Sequence, residues 1–103
     1  MGHAYEPIVA SGSSACILHY INNNKVCREG DLILLDFGAE YGHYAADLSR
    51  TIPANGRFSE RQADVYNAVL LVLKKTIQLL VPGAHLSEIK TKFGCRLPAR
   101  LPS

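Results

Sequence analysis

The chain has 103 residues, 48% of them hydrophobic, and a formal net charge of +2. That is enough for one small globular domain with a thin stability margin, and too apolar for a disordered chain. No apolar run approaches the roughly 18–20 residues of a membrane span and no charged-then-apolar leader opens the sequence, so no membrane partner is expected.

The charge is uneven. Residues 90–103 hold Lys90, Lys92, Arg96 and Arg100 and no acid, and the rest of the chain carries seven basic and nine acidic groups, a net of −2. Four scattered cations beside one aromatic make a solvated tail, not a nucleic-acid surface. Cys16, Cys27 and Cys95 are an odd count with no Cys-x-x-Cys spacing. That argues against a disulfide framework or a zinc knuckle and points to a reducing, cytoplasmic setting. Cys16 reads as a small buried residue.

In chain order, Glu6 to Ala10 reads as a short strand with β-branched Ile8 and Val9. Ser11-Gly12-Ser13-Ser14 is a loop of groups that bond their own backbone. Ala15 to Tyr20 is an apolar run with strand character. His19 inside it is either a hydrogen-bonded core or rim residue or a functional group. Asn22-Asn23-Asn24 is a turn, because Asn tolerates the left-handed region. A second turn, Arg28-Glu29-Gly30-Asp31, feeds the strand Leu32 to Phe37, apolar on both faces as in a sheet covered on both sides. Tyr44 to Ile52 is its antiparallel partner, and Pro53 ends the pairing because it has no N–H.

Ser59 opens a helix. Ser59-Glu60-Arg61-Gln62 has the capping-box pattern, and Val65, Val69, Val72, Leu73, Ile77 and Leu80 recur at threes and fours as one stripe to bury. Val81-Pro82-Gly83 stops it. Leu86 to Phe93 starts a second helix, with Ser87 and Glu88 suited to its first turn. From Gly94 on, with Pro98 and Pro102 and no periodicity, an irregular basic tail is expected. The domain boundaries are therefore 1–93 and 94–103.

The chemistry concentrates between Asp36 and Asp47. If Asp36 stands directly opposite Asp47 in a hairpin, the loop centres on Tyr41-Gly42, where glycine supplies positive φ. Opposed residues share a face with Cβ atoms roughly 4.5–5.5 Å apart. Two carboxylates so placed repel unless a proton or a cation lies between them, and they suit Mn²⁺, Mg²⁺ or Zn²⁺. The plainer reading is a polar strand end at Asp36 and an ion pair between Asp47 and Arg50.

Asp36-Phe37-Gly38, the ten residues from Asp36 to Asp47, and Leu48-Ser49-Arg50-Thr51 together resemble the first metal-binding segment of the creatinase/aminopeptidase P metallopeptidases. Ile8 to Tyr20 is similar to that group's segment with a substrate-contacting histidine, and Pro53-Ala54-Asn55-Gly56-Arg57-Phe58-Ser59 also fits. The resemblance spans about residues 5–89 and is strongest to the Xaa-Pro aminopeptidase and prolidase branch. It implies an α+β fold, half of a duplicated pita-bread domain, with an antiparallel sheet and one long covering helix. It implies Asp36 and Asp47 as metal ligands and His19 as a substrate contact.

The family function implied is metal-dependent removal of an N-terminal residue preceding proline, with a dinuclear centre, Mn²⁺ foremost, and proline-containing peptides as substrate. Three of the family's five metal ligands, a histidine and two glutamates, have no counterpart here. His85 and Glu88 follow the Pro-Gly stop and match no ligand position. The chain alone is therefore expected to be inactive and to hold a metal weakly or not at all. The alternatives are a non-enzymatic peptide-binding pita-bread module, in which loss of the aspartates would be expected, and a homo-oligomer that covers an exposed sheet edge and apolar face.

Overall fold

A computed structural model of the protein describes residues 1–94. They fall into two compact units, Met1–Ser59 and a second that begins at Glu60. The fold is mixed, with antiparallel sheet in the first unit and helix in the second, as expected.

In the first unit, strands β1 (Gly2–His3), β2 (Ile8–Ser11), β3 (Leu32–Phe37), β4 (Ala39–Tyr41), β5 (Tyr44–Ala45) and β6 (Leu48–Pro53) form two small sheets. Their orders are β1-β4-β5 and β2-β3-β6, and every pairing is antiparallel. The β3 strand has its expected bounds. The turn before it closes when Asp31 donates its N–H to the Arg28 carbonyl at 3.1 Å and its carboxylate accepts the Arg28 N–H at 3.1 Å. Pairing of β3 with β6 ends at Leu32 opposite Pro53, as expected, but not for want of a proline N–H: one residue further on the Ala54 N–H still donates to the Asp31 carbonyl at 2.9 Å, so Pro53 sits where no N–H to β3 is called for.

Several expectations change. Ala15 to Tyr20 is not a strand. Gly12–Cys16 forms a 3₁₀ turn, Ile17 donates back to the Ser14 carbonyl at 3.1 Å, and His19 follows in a turn at φ 54°. Gly12, at φ 54°, turns the chain at the start of this segment, and the local backbone bond to Ser14 takes the place of a strand ladder for the apolar residues that follow. Cys16 is accordingly exposed, and so is Cys27; both are free thiols. The partner of β3 is broken at Ala46-Asp47 into β5 and β6. In β3, Leu32 to Asp36 are half-buried and Phe37 is exposed, so the strand is not enclosed, and the buried apolar residues of the first unit are Ile8 and Ala10.

Asn23, at φ 48°, does more than turn the chain. Its Oδ1 accepts the Val9 N–H at 2.7 Å and its Nδ2 donates to the Pro7 carbonyl at 2.8 Å. β2 is an edge strand, so one side-chain amide occupies backbone groups that would otherwise be open to another strand.

The second unit holds α1 (Glu60–Leu79) and α2 (Leu86–Gly94). Ser59 precedes the first helical residue, and α1 ends ahead of Pro82 and Gly83, the latter at φ 89°. The apolar stripe of α1 keeps its spacing, but none of its residues is buried; Val69 and Ile77 are 63% and 60% exposed. Ile89 of α2 is buried. α2 runs to Gly94; the rest of the expected tail, with Cys95, lies outside the described residues. Among the described residues no helix is long and apolar enough to cross a membrane.

Candidate metal centre

The site is built by register. Asp36 pairs with Ser49 and Phe37 with Leu48, so Asp47 is not opposite Asp36. The pairing is two residues out from the expected one. The turn explains why. Glu40 pairs with Ala45 and Tyr41 with Tyr44, leaving Gly42-His43 as a two-residue loop. Both take positive φ, 57° and 68°, as a type I′ turn requires. The His43 N–H is held by the Glu40 carboxylate at 2.8 Å. Because side chains alternate with period two, a two-residue shift preserves the face. Asp47 becomes a diagonal neighbour of Asp36, not a direct one.

The two carboxylates still meet. The Tyr5 hydroxyl lies 2.6 Å from Asp36 Oδ1 and 3.2 Å from Asp47 Oδ1. Their oxygens are therefore within about 6 Å of each other, close enough for mutual repulsion to matter. A phenol donates one proton, so it serves Asp36 with a short charge-assisted bond and satisfies Asp47 poorly. Asp36 is half-buried and Asp47 exposed.

Tyr5 was not among the residues singled out from sequence. It reaches the pair because β1 and β2 are out of step. Five steps separate His3 from Ile8, but three separate their partners Ala39 and Asp36. The two extra residues make an outward step between the strands, and Pro7, which cannot join a ladder, was the available signal. The Ala4 N–H donates to the Gly38 carbonyl at 2.9 Å and fixes where the step begins. Gly38 itself has no room for a side chain. A Cβ there would run into the Ala46 carbonyl and stand 3.1 Å from Tyr5 Cε1. The Tyr5 hydroxyl titrates well above its ordinary range, pushed up to about 12 first by the bond to Asp36 and then by desolvation. Asp47 adds to the rise, and a backbone bond from Leu48 opposes it.

Arg50 is not the partner of Asp47. Its guanidinium donates to the Ser49 carbonyl at 2.7 Å, and the register puts Arg50 on the other face of the sheet from Asp36. In place of that ion pair, the Tyr5 hydroxyl lies between the two carboxylates. Hard oxygen donors in that arrangement fit a divalent cation as two of its ligands. Among the described residues no group of three or more His, Cys, Asp or Glu could hold an ion. His19 is exposed on the turn after the 3₁₀ segment, and His85 and Glu88 stand at the start of α2.

Asp36 on β3 and Asp47 in the break between β5 and β6 thus share one hydroxyl. The chain belongs to metallopeptidase family M24, whose profile matches residues 1–94. It is 48% identical over 85 residues to the Xaa-Pro aminopeptidase of Haemophilus influenzae, covering 82% of this chain and 20% of that protein. Human Xaa-Pro aminopeptidase 3 is 43% identical over 86 residues, 84% of this chain and 17% of its own length. A single-site variant of Escherichia coli aminopeptidase P superposes with a TM-score of 0.83 at 42% identity, over 88% of this chain and 21% of that structure. Proline aminopeptidase P II from Yersinia pestis gives 0.83 at 43% identity over 88% and 21% of the two chains. The chain thus spans about a fifth of the length of the relatives it matches. The fold is that of the aminopeptidase P structures, as the sequence resemblance implied.

Proposed function

We propose that this chain carries the first two metal ligands, Asp36 and Asp47, and a substrate contact, His19, of a metal-dependent Xaa-Pro aminopeptidase that removes an N-terminal residue preceding proline. The observation that supports this most is the convergence of both carboxylates on Tyr5, in a chain 48% identical to a protein named for that activity. A divalent cation, when bound, supplies Lewis acidity and a more acidic water. Mn²⁺ is our first choice; a related Escherichia coli structure is described as zinc-substituted and product-bound. This chain's own contribution is to present two anionic oxygens on one face of a sheet and to hold them there before the ion arrives. The exposed free thiols of Cys16 and Cys27 fit a reducing, cytoplasmic setting.

Two carboxylates supply only part of the ligand set, so the 103-residue chain by itself turns over no Xaa-Pro peptide. The test is an Xaa-Pro peptidase assay with added Mn²⁺. Turnover that vanishes in Asp36→Asn would contradict this and would mean that copies of the chain assemble a complete site.

A second reading, self-association, is favoured by one face of the β2-β3-β6 sheet. Register puts Val9, Phe37, Leu48 and Ile52 on the side away from Asp36, and they are 43%, 43%, 40% and 46% exposed. Apolar groups gathered on one face are what a second copy would cover. Light scattering across a concentration series tests it; a monomer at every concentration rejects it.

A further inference from the structure

We propose that Tyr5 is a positioning residue for the aspartate pair, a phenol whose one proton is shared unequally, anchoring Asp36 by a short bond and Asp47 by a longer one, before and during cation binding; this rests on the metal-centre reading above. Three features converge on it. The hydroxyl is within hydrogen-bond distance of one oxygen of each carboxylate, 2.6 and 3.2 Å away. The backbone takes two extra residues between β1 and β2, a departure from regular pairing that places an aromatic ring beside the pair. Gly38 is closed to any side chain by the Ala46 carbonyl and the Tyr5 ring, so the sheet is open to the ring at that point.

The tether does what neither strand does alone. Asp36 is fixed by β3, but Asp47 lies in the break between β5 and β6 and is exposed. Without a third group its side chain is free to turn into solvent, and charge repulsion favours that. Tyr5 gives both carboxylates a common neighbour and holds the geometry that a cation would otherwise have to impose. Groups that orient metal ligands in this way typically change affinity about 10–100-fold when removed.

The experiment compares the full chain with Tyr5→Phe, which keeps the ring and deletes the hydroxyl. Carboxylate ¹³C resonances of Asp36 and Asp47 are recorded without metal, and Mn²⁺ affinity is then measured by electron paramagnetic resonance. We expect both carboxylate resonances to move and Mn²⁺ binding to weaken about tenfold or more. Unmoved resonances with unchanged affinity would overturn the proposal. Mn²⁺ binding that Asp36→Asn leaves untouched is the result that sinks the metal-centre reading; if the unmodified chain binds no Mn²⁺, the metal-free resonances alone decide whether the tether exists. If Tyr5→Phe does not fold, selective broadening by Mn²⁺ of the Tyr5 ring signals in the unmodified chain, relative to Tyr20 and Tyr66, supports the proposal. Broadening that spares Tyr5 overturns it.

Discussion

Asp36 faces Ser49 across the sheet, and Asp47 reaches it only diagonally, through the hydroxyl of Tyr5. The site therefore depends on a turn that sets the register and on an aromatic residue outside the hairpin.

The turn is open to test at His43. A non-glycine residue at φ 68° carries a steric cost that glycine does not, here opposed by the bond from its N–H to Glu40. His43→Gly keeps that bond, so it should leave the register intact and raise stability by up to about 1 kcal/mol. Gly42→Val should lower stability by about 1–2 kcal/mol. Thermal denaturation of both variants, with an amide exchange map of β4 and β5, checks this.

At the sheet edge, Asn23→Ala removes two bonds and exposes the Val9 N–H and the Pro7 carbonyl. The loss should be about 1–2 kcal/mol, at an exposed site where water takes over part of the bonding. The more telling outcome is increased strand-to-strand association, since the edge is no longer blocked. Turbidity and thioflavin binding under mild heating should rise above the unmodified chain.

Tyr5 predicts a pH dependence. Its hydroxyl is pushed up to about 12 from an ordinary value of 10.0, so the folded state holds that proton more tightly than the unfolded one. Its contribution to stability is complete below about pH 10 and lost as pH climbs from 10 towards 12. Phenolate absorbance should show a late ionisation step near pH 12, and Tyr5→Phe should delete it. A cation between the carboxylates would neutralise the charge that opposes ionisation and bring the step to lower pH.

The legible parts of the fold were those decided by short-range chemistry. Leu32 to Phe37, the helix after Ser59 and the Pro82-Gly83 break follow from periodicity, capping and helix-stop chemistry, and Pro53 marks the last residue of β6 although a backbone bond continues one step beyond it. The stretch Ala15 to Tyr20 departs from its expected strand because apolar content describes what the side chains prefer, while the positive φ of Gly12 and the backbone bond from Ile17 to Ser14 set the chain's path. The aspartate pair was visible in the spacing, but its register was not, because Tyr41-Gly42 and Gly42-His43 are both reasonable turn centres until the backbone angles are known. Tyr5 was invisible for a different reason. Its approach depends on a mismatch between two strand pairings and on the empty space at Gly38, and both are properties of three segments together.

The most direct test of the central claim is a calorimetric Mn²⁺ titration of the unmodified chain beside Asp36→Asn and Asp47→Ala. Two carboxylates with water in the remaining positions should bind weakly, and either substitution should abolish the heat. Tight binding, or binding that survives Asp47→Ala, would show that the cation sits elsewhere and that Asp36 and Asp47 are not its ligands.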